Sequence, residues 1–152
     1  MDVKYINPFL VSFQNVMPQI GFEEVKKGKV SIKEGHLVTN GVLIIVGIVG
    51  DLKGNIIYSI DAEHAKQIAS KMMMGMEVSE FNEMAQSAIS ELSNMLTANA
   101  STELSTMNIN INISTPTLMY GDNIMTKFNA PKLLCIELLV DNIPIEVNIS
   151  IN

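Results

Sequence analysis

Residues 79–113, SEFNEMAQSAISELSNMLTANASTELSTMNININI, carry the strongest secondary-structure signals in the chain. Ser79 is a residue type that favours helix N-caps, and apolar residues follow it with helical spacing. The pattern predicts one long helix over residues 80–105. From Met107 to Ile113 every second residue is apolar, which is typical of a strand with one buried face. The chain is therefore expected to combine a long helix with a sheet.

The sequence on either side of this stretch predicts two more helices and several hairpins. Asn7 with Pro8 is expected to cap a first helix, and Asp61 to cap a second that ends near Gly75. Further strands are predicted over 22–33, 38–49, 56–60, 133–140 and 143–151, with turns at 51–55 and 141–142. Short turns favour antiparallel pairing, so we expect an α+β fold with the helices packed on one face of a largely antiparallel sheet. Because a helix followed by strands occurs twice, the order also suggests an internal pseudo-repeat.

Composition and charge limit the kinds of protein to which the chain can belong. With 152 residues, 47% hydrophobic, the chain is expected to form a single domain over 1–152. All ten basic residues are lysines in a chain of net charge −6, which argues against nucleic acid as a partner. The longest uncharged apolar run, 41–50, is too short for a membrane span, and no signal peptide is evident, so we expect a cytoplasmic location. A single cysteine, Cys135, excludes an intrachain disulfide and a cysteine-built metal site.

Three polar residues of the long helix lie side by side. At about 100° per residue, Ser87, Glu91 and Asn94 fall in one narrow stripe. The same geometry puts one set of residues in the core (Phe81, Met84, Ala88, Leu92, Met95, Leu96) and another in solvent (Gln86, Ser90, Ser93, Thr97). An amide such as Asn94 both donates and accepts hydrogen bonds and can orient a water molecule, and a carboxylate can bind a cation on a partner. The alternative is that the stripe is an ordinary solvated helix edge.

A spacing motif then connects this stripe to a known family. Ser87-x3-Glu91-x2-Asn94, followed after 21 residues by Pro116, resembles the Asp/Ser-x3-Glu-x2-Asn-x21/22-Pro signature of the CheC/CheX/FliY chemotaxis phosphatases. The length and the single signature are similar to the CheX branch. The resemblance implies a CheC-like α+β fold and dephosphorylation of the aspartyl phosphate on a CheY-type response regulator.

The resemblance also assigns roles to the four residues. Asn94 would position the hydrolytic water, and Glu91 would contact the active-site lysine of the regulator. Ser87 and Pro116 would shape and support the site. The chain itself would bind no metal or other cofactor, since Mg²⁺ would be held by the response regulator.

A second copy of the signature, which the two-site CheC branch carries on the first helix, is degenerate here. The first helix has Pro8-x3-Ser12-x2-Asn15, with Leu37 at the proline position. We therefore expect one site per chain and interpret Asn15 as an exposed helix residue.

The resemblance further implies a homodimer joined through sheet edges. The strands predicted at 107–113 and 143–151 are edge candidates, although each could equally be interior to one sheet.

Two other functions remain open from the sequence. The domain could be a non-catalytic CheC-like protein-interaction module in chemotaxis or motility signalling. It could also be an unrelated α+β domain in which the polar stripe is accidental.

Overall fold

The computed structural model describes residues 3–152. Within this range the elements run α1 (Ile6–Val16), β1 (Val25–Gly50), β2 (Gly54–Ile60), α2 (Ala62–Met72), α3 (Glu83–Ser105), β3 (Ile111–Ile113), β4 (Thr117–Val140) and β5 (Ile143–Ile151). Every strand pair is antiparallel. The predicted α+β class is confirmed, and the order helix, long strand, hairpin strand occurs twice, as the pseudo-repeat requires.

The two longest strands, β1 and β4, pair with each other along most of their length. The strand order is β2-β5-β4-β1-β3, and β2 also pairs with β1, so the pairing closes on itself. The ladder between β1 and β4 runs from Val25 opposite Val140 to Ile45 opposite Thr117, with three register shifts. The predicted separation of 22–33 from 38–49 is wrong, because one continuous strand covers both. A register shift lies near the predicted break instead, next to Gly35, where a Cβ would collide with the Ala130 carbonyl oxygen.

Most of the strand predicted at 107–113 is instead a turn that follows the end of α3. Only Ile111–Ile113 pair as a strand, at the end of β1. Asn108 has a left-handed φ of 61°, and the Ile109 amide donates to the Leu104 carbonyl at 3.1 Å. These residues therefore cap the end of α3, which shortens the predicted strand to three residues.

The C-terminal hairpin follows the prediction, but its strand is not an edge. Asp141 and Asn142 form the turn, with left-handed φ values of 48° and 66°. The Asp141 carboxylate accepts from the Glu24 amide at 2.8 Å, which ties the turn to the start of β1. β5 pairs with β4 on one side and with β2 on the other. The expectation that 143–151 offers a dimer edge is wrong.

Helix starts depend on which side chain reaches the first amides. Asp61 caps α2 as predicted, accepting from the Glu63 amide at 2.9 Å. α3 is capped by Asn82 instead of Ser79, through a bond from the Ala85 amide at 3.0 Å. α1 begins at Ile6 with no side-chain cap, so Asn7 lies inside the helix and is not its cap.

The helices cover one face of the sheet. The main apolar cluster joins residues of α1, α2 and α3 to alternate residues of β1, β2, β4 and β5. A smaller cluster lies on the opposite face, around Leu37, Leu43, Ile57 and Leu133. No helix in the described range is long and apolar enough to cross a membrane.

Candidate active site

An open groove of about 580 Å³ separates α3 from the start of β4. Its α3 wall is formed by Glu83, Gln86, Ser87, Ser90, Glu91 and Asn94, and its other wall by Thr115, Pro116 and Leu118. The four residues of the sequence signature, Ser87, Glu91, Asn94 and Pro116, thus line one concavity. A helix stripe and a distant proline become neighbours because β4 returns past α3.

The signature side chains of α3 are not used to hold the fold together. Ser87 and Glu91 are exposed and Asn94 is half-buried. In the described part of the chain, no hydrogen bond or ion pair engages the side chains of these three residues. Their polar groups therefore stay available to a molecule that enters the groove.

The wall opposite α3 is fixed by the end of β1. The Ser114 amide donates to the Gly47 carbonyl at 2.9 Å, and the Gly47 amide donates to Ser114 Oγ at 2.8 Å. Pro116 follows in the gap between β3 and β4, where its missing amide hydrogen removes no ladder bond. The segment leading to Pro116 is thereby held rigidly beside α3.

A buried chain of hydroxyl groups sets the rotation of α3 against the sheet. Tyr58 OH and Thr97 Oγ1 lie 2.7 Å apart, and Thr97 Oγ1 donates to the Ser93 carbonyl at 2.7 Å. Since the Thr97 proton is used in that bond, Tyr58 is the donor to Thr97. Burial raises the pKa of Tyr58, so its hydroxyl stays protonated.

The predicted core face of α3 is partly wrong. Ser93 and Thr97, expected in solvent, are buried, whereas Met84, expected in the core, is 58% exposed. A hydroxyl that donates to a carbonyl of its own helix can be buried at little cost in free energy. A prediction from hydrophobicity alone places such a residue in solvent. The true core face of α3 carries Ala85, Ile89, Leu92, Leu96 and Ala100. The polar stripe therefore points away from the core.

The first helix does not form a second groove of this kind. Ser12, at the glutamate position, is completely buried and its Oγ donates to the Leu96 carbonyl at 2.5 Å. Asn15 is exposed, as predicted, and its amide donates to Asn99 Oδ1 at 3.1 Å. Leu37, at the proline position, is buried in the cluster on the opposite face of the sheet. Ser12 cannot reach a partner, so this copy of the motif serves packing between α1 and α3.

The charge of the groove is negative. Its lining carries two carboxylates, Glu83 and Glu91, and no basic side chain. The sequence reasoning missed Glu83, which the helical spacing could have identified because it lies one turn before Ser87 on the same stripe. A cationic group on a partner would complement this lining.

Metal ligation and thiol chemistry find no support in the described residues. Across residues 3–152, no three His, Cys, Asp or Glu side chains are grouped so that they could hold a metal ion. Cys135 is buried, as predicted, and burial raises the pKa of its thiol to about 11, so the thiol is protonated near neutral pH.

Comparison with known proteins identifies the family. The sequence model described as "Chemotaxis phosphatase CheX" matches residues 42–138. The chain belongs to the CheX family. Over 127 residues it is 31% identical to the CheY-P phosphatase CheX of Thermotoga maritima, covering 84% of this chain and 82% of the relative.

Solved structures of the family share the whole fold. CheX from Desulfovibrio desulfuricans superposes with a TM-score of 0.85 at 21% identity, covering 98% of this chain and 99% of the other. CheX from Borrelia burgdorferi, crystallised as a complex of CheX, CheY, BeF₃ and Mg²⁺, gives a TM-score of 0.77 at 28% identity, with 99% of each chain covered. These CheX folds agree with the α+β architecture described above.

Proposed function

We propose that this chain is a phosphatase that hydrolyses the aspartyl phosphate of a phosphorylated CheY-type chemotaxis response regulator. The observation that carries the proposal is that Ser87, Glu91, Asn94 and Pro116 line one open groove. Membership of the CheX family supports the same reaction, since the Thermotoga relative is a CheY-P phosphatase.

Asn94 positions the attacking water in this mechanism. Its carboxamide can accept a hydrogen bond from the water while donating another to the phosphoryl group. An amide is a poor base, so it contributes geometry and not proton abstraction. Phosphoryl transfer depends mainly on such positioning and on electrostatic stabilisation of the transition state.

Glu91 contacts the active-site lysine of the regulator. Its carboxylate is exposed one turn before Asn94, in a groove without basic side chains. An ion pair formed there orients the regulator so that its phosphoryl group meets Asn94. Ser87 and Pro116 shape the groove and take no part in bond making.

The metal ion of the reaction belongs to the regulator. The Borrelia CheX complex contains CheY, BeF₃ and Mg²⁺. Mg²⁺ prefers several oxygen ligands in octahedral geometry, and the groove offers only Glu83 and Glu91, which lie eight residues apart on α3 and would make a poor site for it. We therefore assign Mg²⁺ to the partner and no cofactor to this chain.

A homodimer joined through sheet edges is part of the proposal. In the described residues, β1 over 25–34 and β4 over 117–124 each have one side without a strand partner. The β1 edge carries Lys26, Lys27 and Lys29, so self-pairing there would bring like charges together. The β4 edge is the better candidate.

The direct test is the decay of a phosphorylated chemotaxis response regulator with and without this protein. The proposal predicts faster loss of the aspartyl phosphate in proportion to the amount of protein added. An unchanged decay rate with a regulator that binds the protein would favour the non-catalytic interaction module instead.

A further inference from the structure

Two exposed apolar side chains flank the groove at the end where α3 begins. Met84 is 58% exposed and lies about 20° from Glu91 around the helix axis, so it shares the exposed face of the signature stripe. Tyr120 is 52% exposed and lies in β4, two residues after Leu118 of the groove wall and hence on the same strand face.

Tyr120 is held at this end by an aromatic contact. Its ring centroid lies 5.1 Å from that of Phe81, with the planes tilted by 50°. Phe81 is buried immediately before Asn82, the cap of α3. One exposed apolar side chain, Met84, therefore lies beside the groove on its helix side, and another, Tyr120, lies beside it on its strand side.

The groove by itself is too small to hold a protein partner. A stable protein interface buries about 800 Å² on each side and uses about 20 residues, whereas nine residues line this groove. A protein that reaches Glu91 and Asn94 must also cover the surface beside them. Met and Tyr are enriched in interface cores, where they bury large apolar area.

We propose that Met84 and Tyr120 form an apolar docking flank for the phosphorylated response regulator, receiving an aliphatic or aromatic surface next to its aspartyl phosphate. The inference rests on the proposed function and adds a specificity-determining surface to it. Two observations select this partner. Met84 and Tyr120 are continuous with the groove, and the groove lining between them is acidic. The surface that docks there must therefore also present the lysine that Glu91 binds.

The flank contributes to binding and not to chemistry. Met84 precedes Asn94 by ten residues, which corresponds to about 15 Å along the helix. Tyr120 contacts Phe81, which precedes Met84 by three residues, so Tyr120 also lies at the end of the groove away from Asn94. Neither side chain can touch a water held by Asn94. Their loss should weaken the encounter with the regulator while leaving the bound complex as reactive as before.

The experiment compares the steady-state kinetics of Met84→Gln, Tyr120→Ser and Met125→Gln. Met125 is the matched control, since it is 73% exposed but lies opposite Val38 in the ladder of β1 and β4, away from α3. We expect KM for the phosphorylated regulator to rise about tenfold in the first two variants, with kcat within twofold of wild type. Met125→Gln should leave both constants unchanged.

Other outcomes separate this inference from the proposed function. Wild-type KM in both flank variants, or a lower kcat at unchanged KM, would overturn the docking flank while the phosphatase assignment stands. If the wild-type chain fails to hydrolyse the phosphate, the proposed function falls, and affinity for the same phosphorylated regulator decides the flank. If Met84→Gln binds the regulator more weakly than wild type and Met125→Gln does not, the docking flank is supported. If both variants bind as tightly as wild type, the docking flank is refuted.

Two controls cover folding and self-association. Tyr120→Ser removes the contact with Phe81, so Met84→Gln carries the test if the tyrosine variant unfolds. The flank could instead be occupied by a second copy of the chain. If Met84→Gln has a reduced molecular mass in solution and an unchanged KM, a second copy of the chain covers the flank, and the proposal is contradicted.

Discussion

At the scale of single residues, the site depends on side chains that the fold leaves unused. Glu91 and Asn94 lie on the exposed face of α3, and neither side chain has a partner in the part of the chain that the structure describes. Helical spacing placed them on one stripe, because residues four and seven apart share a helix face, and the family resemblance singled them out as site candidates. The buried hydroxyls of Ser93 and Thr97 could not be identified in that way, because Tyr58, the donor to Thr97, lies 39 residues away.

Glu91→Gln should lower kcat/KM for the phosphorylated regulator by about tenfold, which corresponds to about 1.4 kcal/mol for loss of a partly desolvated ion pair. The amide keeps the shape but not the charge, so the salt dependence of kcat/KM should also weaken. The matched control is Glu103→Gln, on the same helix but outside the groove. A wild-type kcat/KM and salt dependence in Glu91→Gln would remove the assigned contact.

At the scale of elements, the packing of α3 on the sheet determines where the stripe points. Tyr58 of β2 reaches Thr97, and Ser12 of α1 reaches the Leu96 carbonyl, so α3 is fixed by two other elements at two consecutive residues. Asn94 lies beside both anchor points in the sequence. The orientation of the Asn94 amide is therefore coupled to the contacts that α3 makes at Leu96 and Thr97, two and three residues further along the helix.

Tyr58→Phe should lower the free energy of unfolding by about 1 kcal/mol, the typical net value of one buried hydrogen bond. The ring stays packed, but the acceptor side of the Thr97 hydroxyl loses its donor. Urea unfolding of wild type and variant measures the difference. Thr97→Ser, which keeps the hydroxyl, serves as the comparison, and equal stability of Tyr58→Phe and wild type would contradict the assigned bond.

The ion pair between Lys33 and Glu146 gives the sheet a pH-dependent contribution. Lys33 Nζ lies 2.7 Å from Glu146 Oε1, which links β1 to β5 across β4. Burial alone would raise the pKa of Glu146, but the hydrogen bond and charge of Lys33 outweigh it, and the pKa is lowered from 4.5. A lowered carboxyl pKa contributes stability that is present above the unfolded-state value and lost as the pH falls through the folded-state value.

Glu146→Gln should therefore lower the free energy of unfolding near pH 7 by about 0.5 kcal/mol, a value reduced by solvent because both side chains are about one-third exposed. The difference from wild type should shrink as the pH falls below 4.5. Glu34→Gln, which breaks the more exposed pair with Lys132, is the control and should change little. A Glu146→Gln effect that persists undiminished at pH 3 would contradict the electrostatic origin.

Sequence periodicity predicted the elements that carry local signals and missed those that depend on distant pairing. The helices were anticipated from apolar spacing, with the cap placed correctly for α2 but not for α1 or α3, and the C-terminal hairpin from its turn residues Asp141 and Asn142. The first half of β4 has no comparable pattern, and it is a strand because β1 pairs with it across a long sequence separation. For the same reason, Pro116 could be assigned to the site through the resemblance only and not through local rules.

At the scale of the whole molecule, the two long strands bring two chain halves into one sheet. β1 belongs to the first helix–strand unit and β4 to the second, and their ladder runs along most of both strands. α1 and α3 then pack on the same face, where Ser12 of the first unit stabilises α3 of the second. The degenerate first motif thus supports the helix that carries the intact one.

The proposed homodimer predicts a solution mass of about twice the chain mass of 16.7 kDa. Light scattering combined with size-exclusion chromatography measures it over a range of concentrations. Strand pairing through backbone bonds should tolerate high salt, unlike an association between charged surfaces. A single species at the monomer mass throughout the range would contradict the dimer without affecting the groove.

In the proposed mechanism one amide, on one of two related helices, positions the hydrolytic water. Asn94→Ala and Asn15→Ala make the same substitution on α3 and on α1, where Asn15 occupies the corresponding position of the degenerate motif. The measurement is the single-turnover rate at which each variant removes phosphate from the phosphorylated response regulator, at saturating protein. We predict a loss of at least about 100-fold in Asn94→Ala, typical of removing a group that handles the reacting water, and a wild-type rate in Asn15→Ala. A wild-type rate in Asn94→Ala, with the fold intact, would contradict the account.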